Sequence, residues 1–190
     1  MHVPALLFPL LASLALARQS QSQLSNNPSA NTSNPDLGKN LNITVIGARN
    51  NRSTLECWAV EPGWESSTQK GEVGSSHVNL GQIGGSAGNA SYSVLPAHFD
   101  GGRHNAPAAQ YVIILQGMAH VTLPDSDAEA FVPSGRALLA LDTPDVSALG
   151  HITRYPAERT VALQIPLGAG GVPKHRVLHQ GGCSKAEHVV

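Results

Sequence analysis

The groups in this sequence that could do chemistry are its nine histidines, its acidic residues and its two cysteines. Nucleophilic catalysis is not indicated, because the chain has no Gly-x-Ser-x-Gly elbow and no pairing of a cysteine with a histidine. His175 and His179 have the spacing of a helical zinc site, but Pro173 and the pair Gly181-Gly182 argue against a helix there. Proton transfer by histidine, which titrates near neutral pH, is the chemistry that remains.

The elements that would position these groups are short strands. Nineteen glycines and thirteen prolines divide the chain into apolar runs of strand length, and no longer stretch has helical periodicity. This pattern predicts an all-β fold, either a sandwich or a barrel. The clearest runs are 41–46, 54–60, 77–83, 92–95, 110–115, 118–123, 128–132, 137–141 and 160–165.

One pair of these runs has a distinct turn signal. Gln110–Leu115 and Met118–Leu123 flank the dipeptide Gln116-Gly117. Glycine can take the positive φ that a tight two-residue turn requires. The sequence therefore predicts a hairpin between these two strands, with His120 facing away from the interior.

Length and charge limit the classes of partner. The 190 residues suffice for one domain, and only 13% of them are charged, for a net charge of −1. Such a chain has no basic field for phosphates and no acidic field for cationic partners. Nucleic acid is therefore excluded as an expected ligand.

The N-terminus has the features of an export signal. Residues 3–17 are apolar, and Ala15-Leu16-Ala17 has the small-x-small form of a cleavage site, although no Lys or Arg precedes the run. A membrane span would need about 20 apolar residues. We predict a signal peptide over residues 1–17, a disordered Ser/Asn-rich leader over 18–40, a folded domain over 41–190 and no membrane association.

Two further features agree with a secreted protein or one in the lumen of the secretory pathway. Cys57 and Cys183 are an even pair, which predicts a disulfide in an oxidising compartment, with two unpaired buried thiols as the alternative. Four N-glycosylation sequons are also present. They begin at Asn31, Asn42, Asn51 and Asn89.

The segment Gly102–Gly117 resembles the first signature of the cupins in its spacing. The resemblance places His104 at the first motif histidine, Ala106 at the second and Gln110 at the motif glutamate. It implies a single cupin-type β-barrel, a double-stranded jelly roll. Pro133-Ser134-Gly135 is similar to the turn of the second signature, with Leu138 where that signature has a histidine.

Further motifs resemble a group of small secreted fungal cupin-like proteins, over most of the chain from Leu55 to Cys183. Some members of that group occur in polyketide gene clusters and are named cupin oxidoreductases. The resemblance implies a fold and a setting rather than a reaction. The matching motifs are Phe99-Asp100-Gly101-Gly102, His104-Asn105-Ala106-Pro107, Val121-Thr122-Leu123-Pro124, Asp142-Thr143, Gly150-His151 and Val161–Pro166.

Most of the positions that bind the metal in cupins hold residues in this sequence that cannot bind one or bind it poorly. Ala106 and Leu138 cannot ligate and Gln110 is neutral, so only His104 of the motif set keeps its ligand. His151 could join His104 in an incomplete site with Gln110 or Asp142. We expect no cofactor, and the sequence leaves a weakly held divalent metal open.

The same residues predict an acid–base pocket. With Gln110 directed inward as the resemblance implies, strand alternation turns Val112 and Ile114 inward as well, which gives an apolar wall with a polar end. The hypothesis is that His104 and His151 transfer protons and that Asp142 and Gln110 orient them. The alternative is that these side chains only satisfy one another and hold loops in place.

Two classes of function follow from this reading. The first is an auxiliary enzyme of polyketide secondary metabolism, an oxidoreductase, isomerase or dehydratase acting on a small hydrophobic substrate. The second is a secreted binding or surface protein without turnover. The sequence identifies neither the reaction nor the substrate. It is also compatible with a homodimer.

Overall fold

The computed structural model describes residues 38–73, 75–78, 80–81 and 89–188, all within the compact unit Thr32–Val190. Residues 1–37, with the predicted signal peptide, most of the leader and Asn31, lie outside them. The described residues form thirteen strands and no helix, which confirms the all-β prediction, and none of them belongs to a helix able to cross a membrane. The strands are β1 (Asn42–Arg49), β2 (Arg52–Val60), β3 (Glu65–Ser66), β4 (Ser76–His77), β5 (Ser91–Leu95), β6 (Phe99–His104), β7 (Gln110–Gln116), β8 (Met118–Thr122), β9 (Glu129–Pro133), β10 (Ala137–Ala140), β11 (His151–Tyr155), β12 (Thr160–Pro166) and β13 (His175–Gln180).

The strands form a large, a medium and a small sheet. The seven-stranded sheet has the order β13-β2-β1-β10-β7-β12-β5, the four-stranded sheet the order β6-β11-β8-β9, and β3 pairs with β4. All pairs are antiparallel except β1 with β10. The architecture is therefore all-β with several sheets. The predicted cupin-type barrel is more specific than what this strand order shows.

Two apolar clusters cover the two faces of the seven-stranded sheet. The first draws on both larger sheets, and its side chains include Ile46, Val112, Ile114, Val121, Val132, Leu138 and Ala140. The second packs on the other face and includes Ile43, Val45, Trp58, Val60, Tyr111 and Leu139. Burial of both faces explains why β1 and β2 have nearly continuous buried runs rather than strict alternation.

The predicted hairpin at Gln116-Gly117 is wrong. β7 pairs with β10 and β12, whereas β8 pairs with β9 and β11, so the chain passes from one sheet to the other at Gly117. Gly117 does take a positive φ of 81°. The same glycine that closes a tight turn can thus turn a corner between sheets, and the local sequence does not distinguish the two.

Most other predicted strands are present with small shifts at their ends. The run 77–83 is shorter than predicted, because β4 ends at His77 and Leu80 and Gly81 lie outside any strand. The two-residue strand β3 and the longer strands β6, β11 and β13 were not predicted. Each is rich in glycine, histidine, arginine or polar residues, so hydrophobic periodicity does not reveal it.

The Cys57–Cys183 disulfide is present, as predicted. It joins β2 to the segment after β13 across 126 positions of sequence, and both residues are buried. The Cys183 amide also donates to Thr44 Oγ1 at 3.0 Å. In the loop-entropy model, a disulfide that closes a loop of this length stabilises the fold by up to about 4 to 5 kcal/mol, because it restricts the unfolded chain.

The sheet corner yields a matched pair of substitutions. A Cβ at Gly117 would lie 2.5 Å from Thr160 Oγ1 and 2.6 Å from the Arg159 carbonyl, whereas a Cβ at Gly135, which has a nearly equal φ of 80°, would contact nothing. We expect Gly135→Ala to cost about 1 kcal/mol through φ alone and Gly117→Ala to cost about 3 kcal/mol or more through the added clash. Urea denaturation measures both, and equal losses would contradict the corner geometry.

Candidate functional site

The candidate site is built around a buried carboxylate. Asp142 follows β10 and is fully buried, and its Oδ2 accepts a 2.8 Å hydrogen bond from Nδ1 of His151, the first residue of β11. The His151 side chain is itself buried. A buried carboxylate is costly unless donors satisfy it, so this pair explains why the two residues are brought together.

A chain of hydroxyl groups supplies a second donor to the same oxygen. Ser53 Oγ donates to Asp142 Oδ2 at 2.7 Å and lies 2.8 Å from Ser147 Oγ, which accepts from the Gly150 amide at 3.1 Å. Since a hydroxyl has one proton, Ser147 must donate to Ser53. The network therefore has a single direction and converges on Asp142.

The loop that carries Asp142 and Ser147 is held in place by hydrogen bonds that its backbone makes with neighbouring segments. The Asn105 side-chain amide donates to the Asp142 carbonyl at 3.0 Å and to the Ser147 carbonyl at 2.8 Å. The Ala148 amide donates to the Asn51 carbonyl of the β1–β2 turn at 3.0 Å. These contacts anchor the loop to both larger sheets and hold the carboxylate in position.

His104 lies opposite His151 on the neighbouring strand. The two are register partners in the β6–β11 pair, and their ring centroids are 4.5 Å apart. His104 Nδ1 lies 3.1 Å from the Gly102 carbonyl. Gly150 permits this approach, because a Cβ there would collide with the His104 carbonyl, and its φ of 64° suits glycine.

The environment lowers the pKa of His104. Partial burial contributes most and the neighbouring His151 adds to it, while the Gly102 carbonyl and the Asp142 carboxylate act in the opposite direction. The side chain remains exposed on one side. His104 is therefore mainly neutral at pH 7 and can accept a proton.

Hydrogen bonding assigns the tautomers of both rings. A carbonyl and a carboxylate are acceptors only, so neutral His104 and His151 each carry their proton on Nδ1, which leaves both Nε2 lone pairs free. Because the two rings are close, a proton on His151 disfavours a proton on His104. Chemically, the arrangement can take a proton from a bound molecule and return it at a second position.

Both imidazoles line a narrow cavity of about 50 Å³. Its wall combines apolar and polar side chains in nearly equal parts, and Gln110 is one of the polar ones. The structure thus brings His104, Gln110 and His151 to one cavity, with Asp142 behind His151. The other lining residues are Ala106, Pro107, Val112, Ala119, Leu138, Ala140, Thr153, Tyr155 and Gln164.

Sequence reasoning missed the two serines. Ser53 appears in the sequence only as the last residue of the Asn51 sequon, and Ser147 lies in a polar loop. No local pattern indicates that the Ser53 hydroxyl reaches the Asp142 carboxylate 89 positions away, or that the Ser147 hydroxyl reaches Ser53 94 positions away. Three-dimensional proximity was needed to find them.

Three other histidines that the sequence analysis considered, His120, His175 and His179, lie elsewhere. His120 is on the outer face of β8, stacked on Phe131 and bonded to Glu129 at 2.8 Å. His175 and His179 are in a strand rather than a helix, and His175 stacks on Trp58. None of these rings reaches the His104 cavity.

Three of the four predicted glycosylation sites fall within the described residues. Asn51 and Asn89 are exposed. Asn42 is half-buried, and its side-chain amide donates to the Glu187 carbonyl at 2.9 Å. A glycan at Asn42 would replace that contact, so the exposed sites are the better acceptors. The disulfide is compatible with an extracellular or secretory location.

The described residues contain one cluster of three metal-donor side chains, and it lies outside this site. Cys57, His179 and Glu187 have donor atoms within 4.8 Å of one another. Cys57 is bonded to Cys183 and has no thiolate to offer, and His179 already bonds Glu187 at 2.7 Å. This cluster is a weak ligand set, and the His104 cavity offers two imidazoles and neutral amides.

No family model matches the chain, and no curated protein matches it. Among solved structures, a match is the conserved protein SPY1581 of unknown function from Streptococcus pyogenes, with 20% identity and a TM-score of 0.33 over 42% of this chain. The match spans 63% of the length of that protein. A likeness of this extent supports no conclusion about the fold or the function of this chain.

The hydroxyl chain predicts a stability effect. Ser53→Ala removes one donor from buried Asp142 and leaves the Ser147 hydroxyl without its acceptor, which should cost about 2 kcal/mol or more. Ser66→Ala, at an exposed strand position, is the control and should change stability by less than about 0.5 kcal/mol. Urea denaturation of unglycosylated protein measures both, and a neutral Ser53→Ala would show that the network does not stabilise the fold.

The donor set also predicts the metal content. Protein purified without added metal should hold well under one transition-metal ion per chain, because two imidazoles and neutral amides bind such ions weakly. Elemental analysis tests this. About one Fe, Mn, Ni or Zn per chain, lost in His104→Ala, would contradict the expectation.

Proposed function

We propose that this chain is a secreted cupin-like protein that binds a small hydrophobic metabolite at the His104 cavity and catalyses proton transfer on it. Isomerisation, dehydration and a tautomerisation that assists a redox step are the reactions that this chemistry covers. The cupin-type barrel and the setting in fungal polyketide metabolism rest on the motif resemblance alone. The geometry of the site supports the proton transfer independently of that resemblance.

One observation carries the proposal: the buried Asp142–His151 pair has a second imidazole next to it at the cavity. The carboxylate fixes the His151 tautomer and stabilises the imidazolium that forms when Nε2 takes a proton. His104, which is neutral at pH 7, provides a second proton acceptor 4.5 Å away between ring centroids. A purely structural ion pair does not require this second ring.

The cavity volume indicates how a substrate would bind. About 50 Å³ accommodates one or two water molecules, since water occupies about 30 Å³ in the liquid. A metabolite would therefore lie at the mouth, against exposed His104, and only its reacting group would enter. The apolar side chains of the wall, such as Val112 and Leu138, would then limit the access of water to the transferred proton.

The narrow cavity also favours a second candidate function, non-catalytic binding. A pocket that encloses few atoms can hold part of a ligand without positioning it for reaction. In that case the Asp142–His151 pair serves to hold β11 and the 141–150 loop together. This candidate predicts that loss of either imidazole affects affinity or stability and produces no selective loss of turnover.

Asp142→Asn is the sharpest variant for separating these functions. The asparagine oxygen can accept the bonds from His151 and Ser53, so the fold should persist while the negative charge beside His151 is lost. The proton-transfer proposal expects turnover to fall about 10²-fold or more, as it should also in His104→Gln. Asp145→Asn, at an exposed aspartate of the same loop, is the control.

A substrate is sought by comparing the metabolites of a strain that lacks the gene with those of strains carrying each variant. Turnover should decline on acidification below about pH 6.5, because the base form of His104 is lost only as the pH falls through its lowered pKa. An unchanged metabolite profile in the deletion strain would eliminate the enzyme and leave the binding protein. Full turnover in Asp142→Asn would instead eliminate proton transfer through the Asp142–His151 pair.

A further inference from the structure

Two glutamines face the imidazoles across the His104 cavity. His104 and His151 belong to β6 and β11 of the four-stranded sheet. Gln110 and Gln164 belong to β7 and β12 of the seven-stranded sheet. All four side chains line the same cavity of about 50 Å³. A group that enters the cavity therefore lies between two imidazoles from one sheet and two amides from the other.

The side-chain amide of Gln110 has no hydrogen-bond partner in the described part of the chain. The residue is only 7% exposed, and its amide bonds neither imidazole. Its nitrogen and oxygen are nevertheless not among the unpartnered polar atoms that solvent cannot reach. Both atoms therefore open into the cavity that the side chain lines. Because buried amides are nearly always hydrogen-bonded, this exception indicates a group that is placed to meet a ligand.

The donors on the cavity wall are neutral. The described residues that line it include no Arg and no Lys, and its hydroxyl groups belong to Thr153 and Tyr155. Burial raises the pKa of Tyr155, so its hydroxyl keeps its proton at pH 7 and can donate. An anion would lose its hydration here without gaining a fixed positive charge. The group that enters should therefore carry a neutral oxygen acceptor rather than a carboxylate or a phosphate.

A carbonyl group next to a C–H bond matches both sides of this cavity. When an imidazole removes the proton, the electron pair of the C–H bond forms a C=C bond, and one electron pair of the C=O bond moves to the oxygen. Amide N–H groups aimed at that oxygen stabilise the resulting enolate more than they stabilise the neutral carbonyl.

The size of the cavity agrees with such a group. About 50 Å³ is room for a few atoms, such as a carbonyl oxygen, its carbon and the carbon beside it. The remainder of the molecule would stay at the mouth, against the exposed side of His104. The substrate should therefore present its carbonyl group at one end or one edge.

We propose that the substrate is an enolisable ketone and that Gln110 is a catalytic residue, donating its amide hydrogen to the carbonyl oxygen while His104 Nε2 removes the proton from the adjacent carbon. Gln164, on the neighbouring strand, is the second donor. The imidazolium then returns the proton to the oxygen or to a carbon of the enolate, so the ketone is isomerised with no net gain or loss of electrons. This assignment rests on the proposed function, because it needs an imidazole as the base.

Deuterium exchange of simple ketones tests the assignment without the natural substrate. Phenylacetone and cyclohexanone are the aromatic and aliphatic probes, and proton NMR in D₂O follows the loss of their α-proton signals. The intact protein should accelerate the exchange of at least one of them beyond free imidazole at the same concentration of rings. The proton exchanges with solvent because His104, which takes it, is exposed on one side.

Gln110→Leu keeps most of the side-chain volume and removes the donor, so it should lose the acceleration, by up to about 10²-fold. Its melting temperature should be unchanged or higher, because an apolar group replaces an unpartnered buried amide. A merely structural glutamine would instead lower the melting temperature and leave the exchange rate of the folded protein unchanged. Gln69→Leu, at an exposed glutamine, is the matched control and should exchange normally.

No acceleration with either ketone, or full acceleration in Gln110→Leu, would overturn the ketone assignment. If deletion of the gene still changes the metabolite profile in that case, the proposed proton transfer stands and the assignment alone fails. Exchange that persists in His104→Gln would overturn both, because it would show that the imidazole is not the base.

Discussion

The candidate site depends on the need to satisfy one buried carboxylate. Asp142 lies in the protein interior, and donors from His151 and Ser53 offset part of the cost of that burial. Both donors bind Oδ2, and Oδ1 is buried without a hydrogen-bond partner among the described residues. Bringing these donors to Asp142 requires that β2, the 141–150 loop and the start of β11 meet at one point. The directed chain through Ser147 extends this requirement to the loop itself. The same interaction that fixes the local fold thus determines which ring nitrogen of His151 is free for chemistry.

Much of this arrangement could be predicted from sequence where the pattern is strong. Apolar runs bounded by glycine and proline indicated nine of the thirteen strands, and the even cysteine pair indicated the disulfide. Strand alternation predicted that Val112 and Ile114 both face inward as a pocket wall. Both belong to the cluster between the sheets, and Val112 lines the cavity whereas Ile114 is not among its lining residues. The histidines and Asp142 were selected through a motif resemblance, and the structure brings them together. Their proximity is consistent with a common site. The proton-transfer chemistry of that site is still a prediction.

The wrong or missed predictions concern features that depend on contacts between residues far apart in the sequence. Gly117 needs a positive φ both in a hairpin and at a sheet corner, and only the pairing of β7 with β12 and of β8 with β11 separates the two. β6 and β11 carry polar and glycine residues because they lie at the edge of the site, so they lack the apolar signal of core strands. Ser53 and Ser147 act through contacts across about ninety positions, which no local pattern encodes.

The central claim is that His104 and His151 form a proton-transfer pair whose tautomers are fixed by Gly102 and Asp142. Nitrogen NMR of protein labelled in its histidine rings, recorded from pH 4 to 8, tests it most directly. The claim predicts that both rings carry their proton on Nδ1 at neutral pH and that His104 titrates below its usual value near 6.5. Titration of His104 should also shift the resonances of the neighbouring His151 ring. An Nε2-protonated His151, or His151 resonances that do not respond when His104 titrates, would contradict the claim.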